Sequence, residues 1–166
     1  MHIALMELAA RASAPIEVSS PAFKAGDAIP AHYSNYGDNV SPPLSWSLGP
    51  PGTAAYALIV EDPDAPGPDP FVHWLAYNIP PTVQSLKADI SPRDGGAMLQ
   101  GKNSTGSTGW FGPRPPQGPA HHYHFEVFAL DAALDPAAGI RKTRLVGAMQ
   151  GHVLAKGELV ATYKAR

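Results

Sequence analysis

Four short runs limit what this chain can fold into. AAYALIV (54–60), FVHWLAYNI (71–79), HHYHFEVFAL (121–130) and GELVATY (157–163) are each seven to ten residues long and rich in aromatic and β-branched side chains. Turn-forming residues, proline and glycine above all, lie between them, so the runs read as strands of an all-β domain. Residues 16–18 and 44–46 are weaker strand candidates, confined to edges or strand ends by nearby prolines. With 19 prolines and 16 glycines in 166 residues, the chain has nearly twice the ordinary share of these residues, which suits strands joined by stiff, tight loops.

One segment has a different period. Leu145, Met149, His152 and Val153 recur at helical spacing behind Thr143, a candidate N-cap, and Gly157 stands where such a helix would stop. A short helix is therefore predicted before the last strand. Residues 90–120 are too rich in glycine, serine and proline for regular structure through most of their length, and a loop that long in a compact domain is usually functional or disordered. The opening MHIALMELAARASA is apolar and ends in small residues, yet no basic residue precedes its apolar stretch and Glu7 interrupts it. Residues 1–15 thus read as an N-terminal extension, either a short helix or poorly ordered, rather than as a signal peptide. Residues 16–166 form a single domain on this reading.

Charge removes several classes of partner. A formal net charge of −2 and the absence of any lysine and arginine run give no field for nucleic acid or an anionic membrane. No stretch approaches the roughly 20 apolar residues of a membrane span. With no cysteine there is no disulfide framework, no thiolate nucleophile and no cysteine-based metal site, and a cytoplasmic location fits that composition.

Strand alternation sorts the histidines of the third run. His121, Tyr123, Phe125, Val127 and Ala129 share one face, and His122, His124, Glu126 and Phe128 the other. The first set turns apolar after two residues and is predicted to be the core face, with His121 and Tyr123 at its open end beside the proline-rich loop. The second set has nitrogen and oxygen ligands for a metal, but a closed zinc site wants four ligands, so a solvated polar face is expected and no metal or cofactor is assigned. A second polar group follows the run from Tyr56: Asp62 and Asp64 lie on a loop stiffened by Pro63 and Pro66, and His73 stands between Val72 and Trp74. Singly these are a turn and a core histidine. Together Asp62, His73, His121 and Tyr123 could line one small cavity offering carboxylate, imidazole and phenol groups.

Several stretches, in order, carry a likeness: SPPLSW (41–46), EDPDAP (61–66), VHWLAYNIP (72–80), GPRPPQG (112–118), HHYHFEVFALD (121–131) and GHVLAKGELVATY (151–163). The chain resembles the phosphatidylethanolamine-binding protein family, and within it the bacterial branch similar to Raf kinase inhibitor proteins. The resemblance implies an antiparallel Greek-key β-sandwich with a short C-terminal helix. It also implies an anion pocket formed by Asp62, His73, His121 and Tyr123, with Asp64 supporting the loop and Gly112, Pro113, Pro115 and Pro116 forming a wall. Two positions depart from the bacterial pattern: Arg114 stands where a cysteine is usual, and His122 where an arginine is usual. Arg114 is close enough in sequence to reach a bound anion.

The expected function is non-enzymatic binding of a small anionic or phosphorylated ligand, with no catalytic residue assigned. Regulation of a protein partner such as a kinase, and a homodimer, are implied by the resemblance. The alternative is a hydrolase of esters or phosphates in which His121 or His73, oriented by Asp62, activates water. Against it, Ser104, Thr105, Ser107 and Thr108 lie in the glycine-rich loop and no G-x-S-x-G elbow occurs.

Overall fold

The computed structural model describes residues 2–12, 14–93 and 96–165. Among these, β1 (Val18–Ser19), β2 (Leu44–Trp46), β3 (Ala55–Asp62), β4 (Phe71–Ile79), β5 (Ser85–Leu86), β6 (Leu99–Gln100), β7 (His121–Leu130) and β8 (Val153–Tyr163) form two antiparallel sheets. The small sheet runs β1-β2-β5 and the large one β6-β4-β3-β7-β8. The helices are short: α1 (Ala4–Glu7) and α2 (Lys142–Met149). All four strong strand runs are strands, and the fold is all-β with little helix.

Alternation builds the core between the sheets. Tyr56, Leu58 and Val60 of β3, Phe125 and Val127 of β7, and Leu159 and Ala161 of β8 pack with Leu44, Trp46 and Leu86 of the small sheet. The other face of the large sheet is also dry, which corrects the solvated face expected for β7. Ala57, Ile59, Phe128 and Leu130 pack there against Ala4 and Leu8 from the N-terminal segment and Leu145, Val146 and Met149 of α2. Glu126 and Phe128 are fully buried, His124 is half-buried, and of the predicted set only His122 is exposed. Period-2 alternation separates two faces but does not say whether the polar one meets water, and here a third layer covers it.

That layer gives the N-terminal segment a defined place. The backbone of Arg11, Ala12 and Ile16 donates to carbonyls of Val153, Leu154 and Lys156, so the segment runs along β8. Burying Leu8 contributes about 1.5–3 kcal/mol to holding it there. Gly157 is explained by the same crossing: a Cβ on it would stand 1.7 Å from the carbonyl oxygen of Ile16. The expected helix therefore ends early. Its N-cap is Arg141 rather than Thr143, Gly151 at φ +79 follows its last turn, and His152 and Val153 have left it, with Gly157 inside a strand.

One irregularity positions a site residue. Between β3 and β4 the pairing passes from Val60↔Trp74 to Glu61↔Val72, so β4 has one extra residue, His73. The bulge lets Val72 face the helices while Trp74 faces the sheet interface, and it sets His73 among aromatic rings on that side. The long loop after β6 is pinned rather than loose. Gly101, Ser104 and Phe111 donate backbone N–H groups to carbonyls of Leu75, Val72 and His73. No helix among the described residues is long and apolar enough to cross a membrane.

Candidate functional site

Three strands end together at one corner of the sandwich. The C-terminal end of β3 supplies Asp62, the start of β4 Phe71 and His73, and the start of β7 His121 and Tyr123. Around them lies a cavity of about 280 Å³, lined also by Ala65, Pro66, Thr105, Phe111, Arg114, Pro115 and Pro116.

Asp62 organises the polar side. One carboxylate oxygen accepts the N–H of Asp64 at 2.8 Å, a turn that the prolines of the loop stiffen. The other accepts from Nδ1 of His121 at 2.7 Å, with both side chains largely shielded from water. Burial pushes the Asp62 carboxyl above its ordinary value, against the His121 hydrogen bond, which pulls it down. With Nδ1 committed to Asp62, the other ring nitrogen of His121 is the one left for the cavity it lines.

His73 is fixed differently. Its Nδ1 donates to the carbonyl of Phe111, while the N–H of Phe111 donates back to the carbonyl of His73. That exchange sets the tautomer, leaving Nε2 as the acceptor. Burial pushes the imidazole down to about 4, so His73 is neutral near pH 7. Its ring stands edge-on to Tyr123, with centroids 5.1 Å apart. Burial and the nearby Asp62 charge drive the Tyr123 phenol upward, so it keeps its proton, and its hydroxyl has no hydrogen-bond partner among the described residues. The cavity thus offers a histidine held by a carboxylate, a neutral histidine and an unengaged phenol, on aromatic and proline walls.

The predicted residues divide. Asp62, His73, His121, Tyr123, Pro115 and Pro116 line the cavity. Asp64, Gly112 and Pro113 do not. The Asp64 carboxylate turns outward, accepting from both the backbone N–H and Nδ1 of His122 at 2.8 and 2.7 Å. Burial works upward on it, but the His122 hydrogen bonds prevail and leave it below its ordinary value. Gly112 and Pro113 form a buried layer behind the wall, where Asn39 accepts the Gly112 N–H and the Pro113 carbonyl accepts from Asn35. The sequence reading missed Ala65, Pro66, Phe71, Thr105 and Phe111 as lining residues. Phe71 had a detectable signal, being two residues before His73 at the start of a strand. Arg114 lies at the mouth, exposed, with its guanidinium 5.9 Å above the ring of Tyr36.

Of the alternative metal set, each member has another partner. His122 takes Asp64, His124 takes Glu158 at 2.8 Å, and Glu126 accepts the N–H of Leu5 at 2.6 Å.

Two antiparallel sheets with a small aromatic-walled cavity at the strand ends define a β-sandwich of the ligand-pocket type. Residues 19–164 match the family model described as phosphatidylethanolamine-binding protein, and the chain belongs to that family. It is 40% identical over 154 residues to a protein named UPF0098 from Methanothermobacter thermautotrophicus, covering 90% of this chain and 99% of that one. A Mycobacterium tuberculosis protein that carries lipoprotein in its name, LppC, is 38% identical over 156 residues, covering 93% of this chain and 75% of that protein. Among solved structures, Escherichia coli YbcL, described as a member of the mammalian PEBP family, superposes with a TM-score of 0.84 at 35% identity, covering 92% of this chain and 100% of that one. The Chlamydia trachomatis PEBP homologue CT736 gives 0.82 at 38% identity, covering 92% and 99%.

Proposed function

We propose that this protein is a non-enzymatic binder of a small anionic or phosphorylated ligand, such as a phospholipid head group, a nucleotide or a phosphorylated protein side chain, held in the cavity at His121. The observation that carries this reading is the Asp62–His121 hydrogen bond of 2.7 Å in a largely buried setting. With Nδ1–H held by the carboxylate, a protonated His121 presents its Nε2–H to the cavity, where it can donate a charge-assisted hydrogen bond to an anion. Tyr123 adds an unengaged hydroxyl. A cavity of about 280 Å³ sits at the small end for ligand sites, so it suits a head group whose remainder lies outside. Arg114 at the mouth supplies a second positive charge to such a group.

Hydrolysis is the weaker reading. A histidine pushed down to about 4 is a poor general base near neutral pH, and of the two hydroxyls on the wall, Thr105 already donates to Asn103 while burial holds the proton on the Tyr123 phenol. Regulation of a protein partner such as a kinase, a homodimer and a cytoplasmic location belong with this proposal. Light scattering tests the dimer.

Titration of the protein with inorganic phosphate, followed by amide chemical shifts, tests the site. Shifts at Phe111, Tyr123 and their neighbours are expected in the wild type and absent in His121→Ala. An unchanged titration in the variant overturns the proposal, and turnover of a phosphate- or carboxyl-ester panel that is lost in both His73→Ala and His121→Ala would favour the enzyme.

A further inference from the structure

A larger cleft, about 450 Å³, opens on the helix side of the large sheet and shares no lining residue with the His121 cavity. Pro70, Val72 and Val146 give it an apolar floor. Its charged side chains are Glu7, Asp69, Lys102, Arg141 and Lys142. Lys142 is already engaged, donating to Glu61 and to the carbonyl of His2.

Among the described residues, the two carboxylates of the remaining four lack the cationic partner that several carboxylates elsewhere in the molecule have. Asp38, Asp62, Asp64, Asp131, Glu61 and Glu158 each have a histidine, lysine or arginine partner. Glu7, Asp69, Lys102 and Arg141 have none among the described residues, although both signs line one cleft. They are rooted on separate pieces of the fold: Glu7 on α1, Asp69 on the β3–β4 loop, Lys102 just beyond β6 and Arg141 at the start of α2. Anchored apart, they leave two cations and two carboxylates around a cleft with apolar walls.

We infer that this cleft binds a small zwitterion of amino-acid or dipeptide size. A simple anion would meet Lys102 and Arg141 but also two carboxylates, and a simple cation would meet the reverse. A molecule with one charge of each sign can satisfy both sets, and like-charge contacts discriminate against the others. Because these side chains are partly or fully exposed, each contact is weak, and a dissociation constant of about 1 mM is expected.

The test is an amide-shift titration of the full chain with glycylglycine, using acetate and ethylamine as single-charge probes. Glycylglycine should shift Ser104 and Thr143, and acetate and ethylamine should act on them about tenfold more weakly. The double variant Lys102→Ala/Arg141→Ala, and separately Asp69→Asn, should each weaken glycylglycine by about tenfold while leaving the phosphate response at the His121 cavity intact. That intact response reports folding and keeps the two sites separate. Absence of any glycylglycine shift, an equal response to acetate alone, or variants that bind like the wild type would each overturn the inference.

Discussion

Glu61 and Asp62 are neighbours at the end of β3, both removed from water, and they point to opposite faces of the same sheet. On the helix side, Glu61 accepts from Lys142 and from the N–H of Ala4, and next to it Glu126 accepts the N–H of Leu5. Every partner belongs to the chain, so the cluster closes on itself and fastens α1 and α2 to the sheet. On the other side Asp62 accepts from Asp64 and His121, and His121 then faces a cavity. That arrangement is open-ended. The difference separates a carboxylate that holds the fold from one that prepares a histidine for something outside it, and burial alone does not distinguish them.

The strongest way to break this contrast is to remove Lys142. Lys142→Ala leaves the fully buried Glu61 without its cation, and breaking a buried pair in this way costs about 3–5 kcal/mol. Urea unfolding should show that loss, whereas His121→Ala should cost about 1–2 kcal/mol and abolish the phosphate response instead. A loss below about 1 kcal/mol for Lys142→Ala would mean that the helix-side cluster behaves like a surface pair.

The second prediction uses pH. Burial and the facing Glu61 push Glu126 well above its ordinary value of 4.5, with the Leu5 N–H and Lys142 pulling the other way. Its second carboxylate oxygen has no partner while both groups are ionised, and a protonated Glu126 can donate to Glu61. The folded state therefore holds this proton more tightly than the unfolded chain. Its contribution to stability is complete below pH 4.5 and is lost as the pH rises toward the raised value, with a slope of at most about 1.4 kcal/mol per pH unit for one proton. Glu126→Gln should remove that slope from a series of unfolding curves at increasing pH. An identical slope in the variant would place the proton elsewhere.

The contrast also marks what sequence could reveal. The four long strands of the large sheet, the inward face of β7 and the Asp62, His73, His121 and Tyr123 set follow from short-range pattern, turn chemistry and the family likeness, all local in the chain; β6, within the glycine-rich stretch, does not. The helix-side layer was not legible because His122, His124 and Glu126 look like a wet face. Glu126 is dry only because Leu5, 121 residues earlier, caps it and Lys142 sits nearby. The helix end was misplaced for a similar reason: Gly157 looks like a stop, but its role is to let the chain at Ile16 pass. The outward turn of Asp64 depends on which neighbour, His121 or His122, captures which carboxylate, and that choice is made only when β3 and β7 pair.

That choice gives the smallest expected effect and the sharpest test of the two faces. His122 and Asp64 form an exposed pair at 2.7 Å, with side chains 55% and 42% accessible, one residue along the strand from His121. Solvent screens such a pair, so His122→Ala should change stability by no more than about 1 kcal/mol. It should also leave phosphate titration at Phe111 and Tyr123 unaltered, because alternation turns His122 away from the cavity. The Asp62 carboxylate, and not that of Asp64, holds His121. If His122→Ala weakened phosphate binding as much as His121→Ala, the two carboxylates of the loop would be acting as one unit, and the division between an outward structural pair and an inward binding pair would fail.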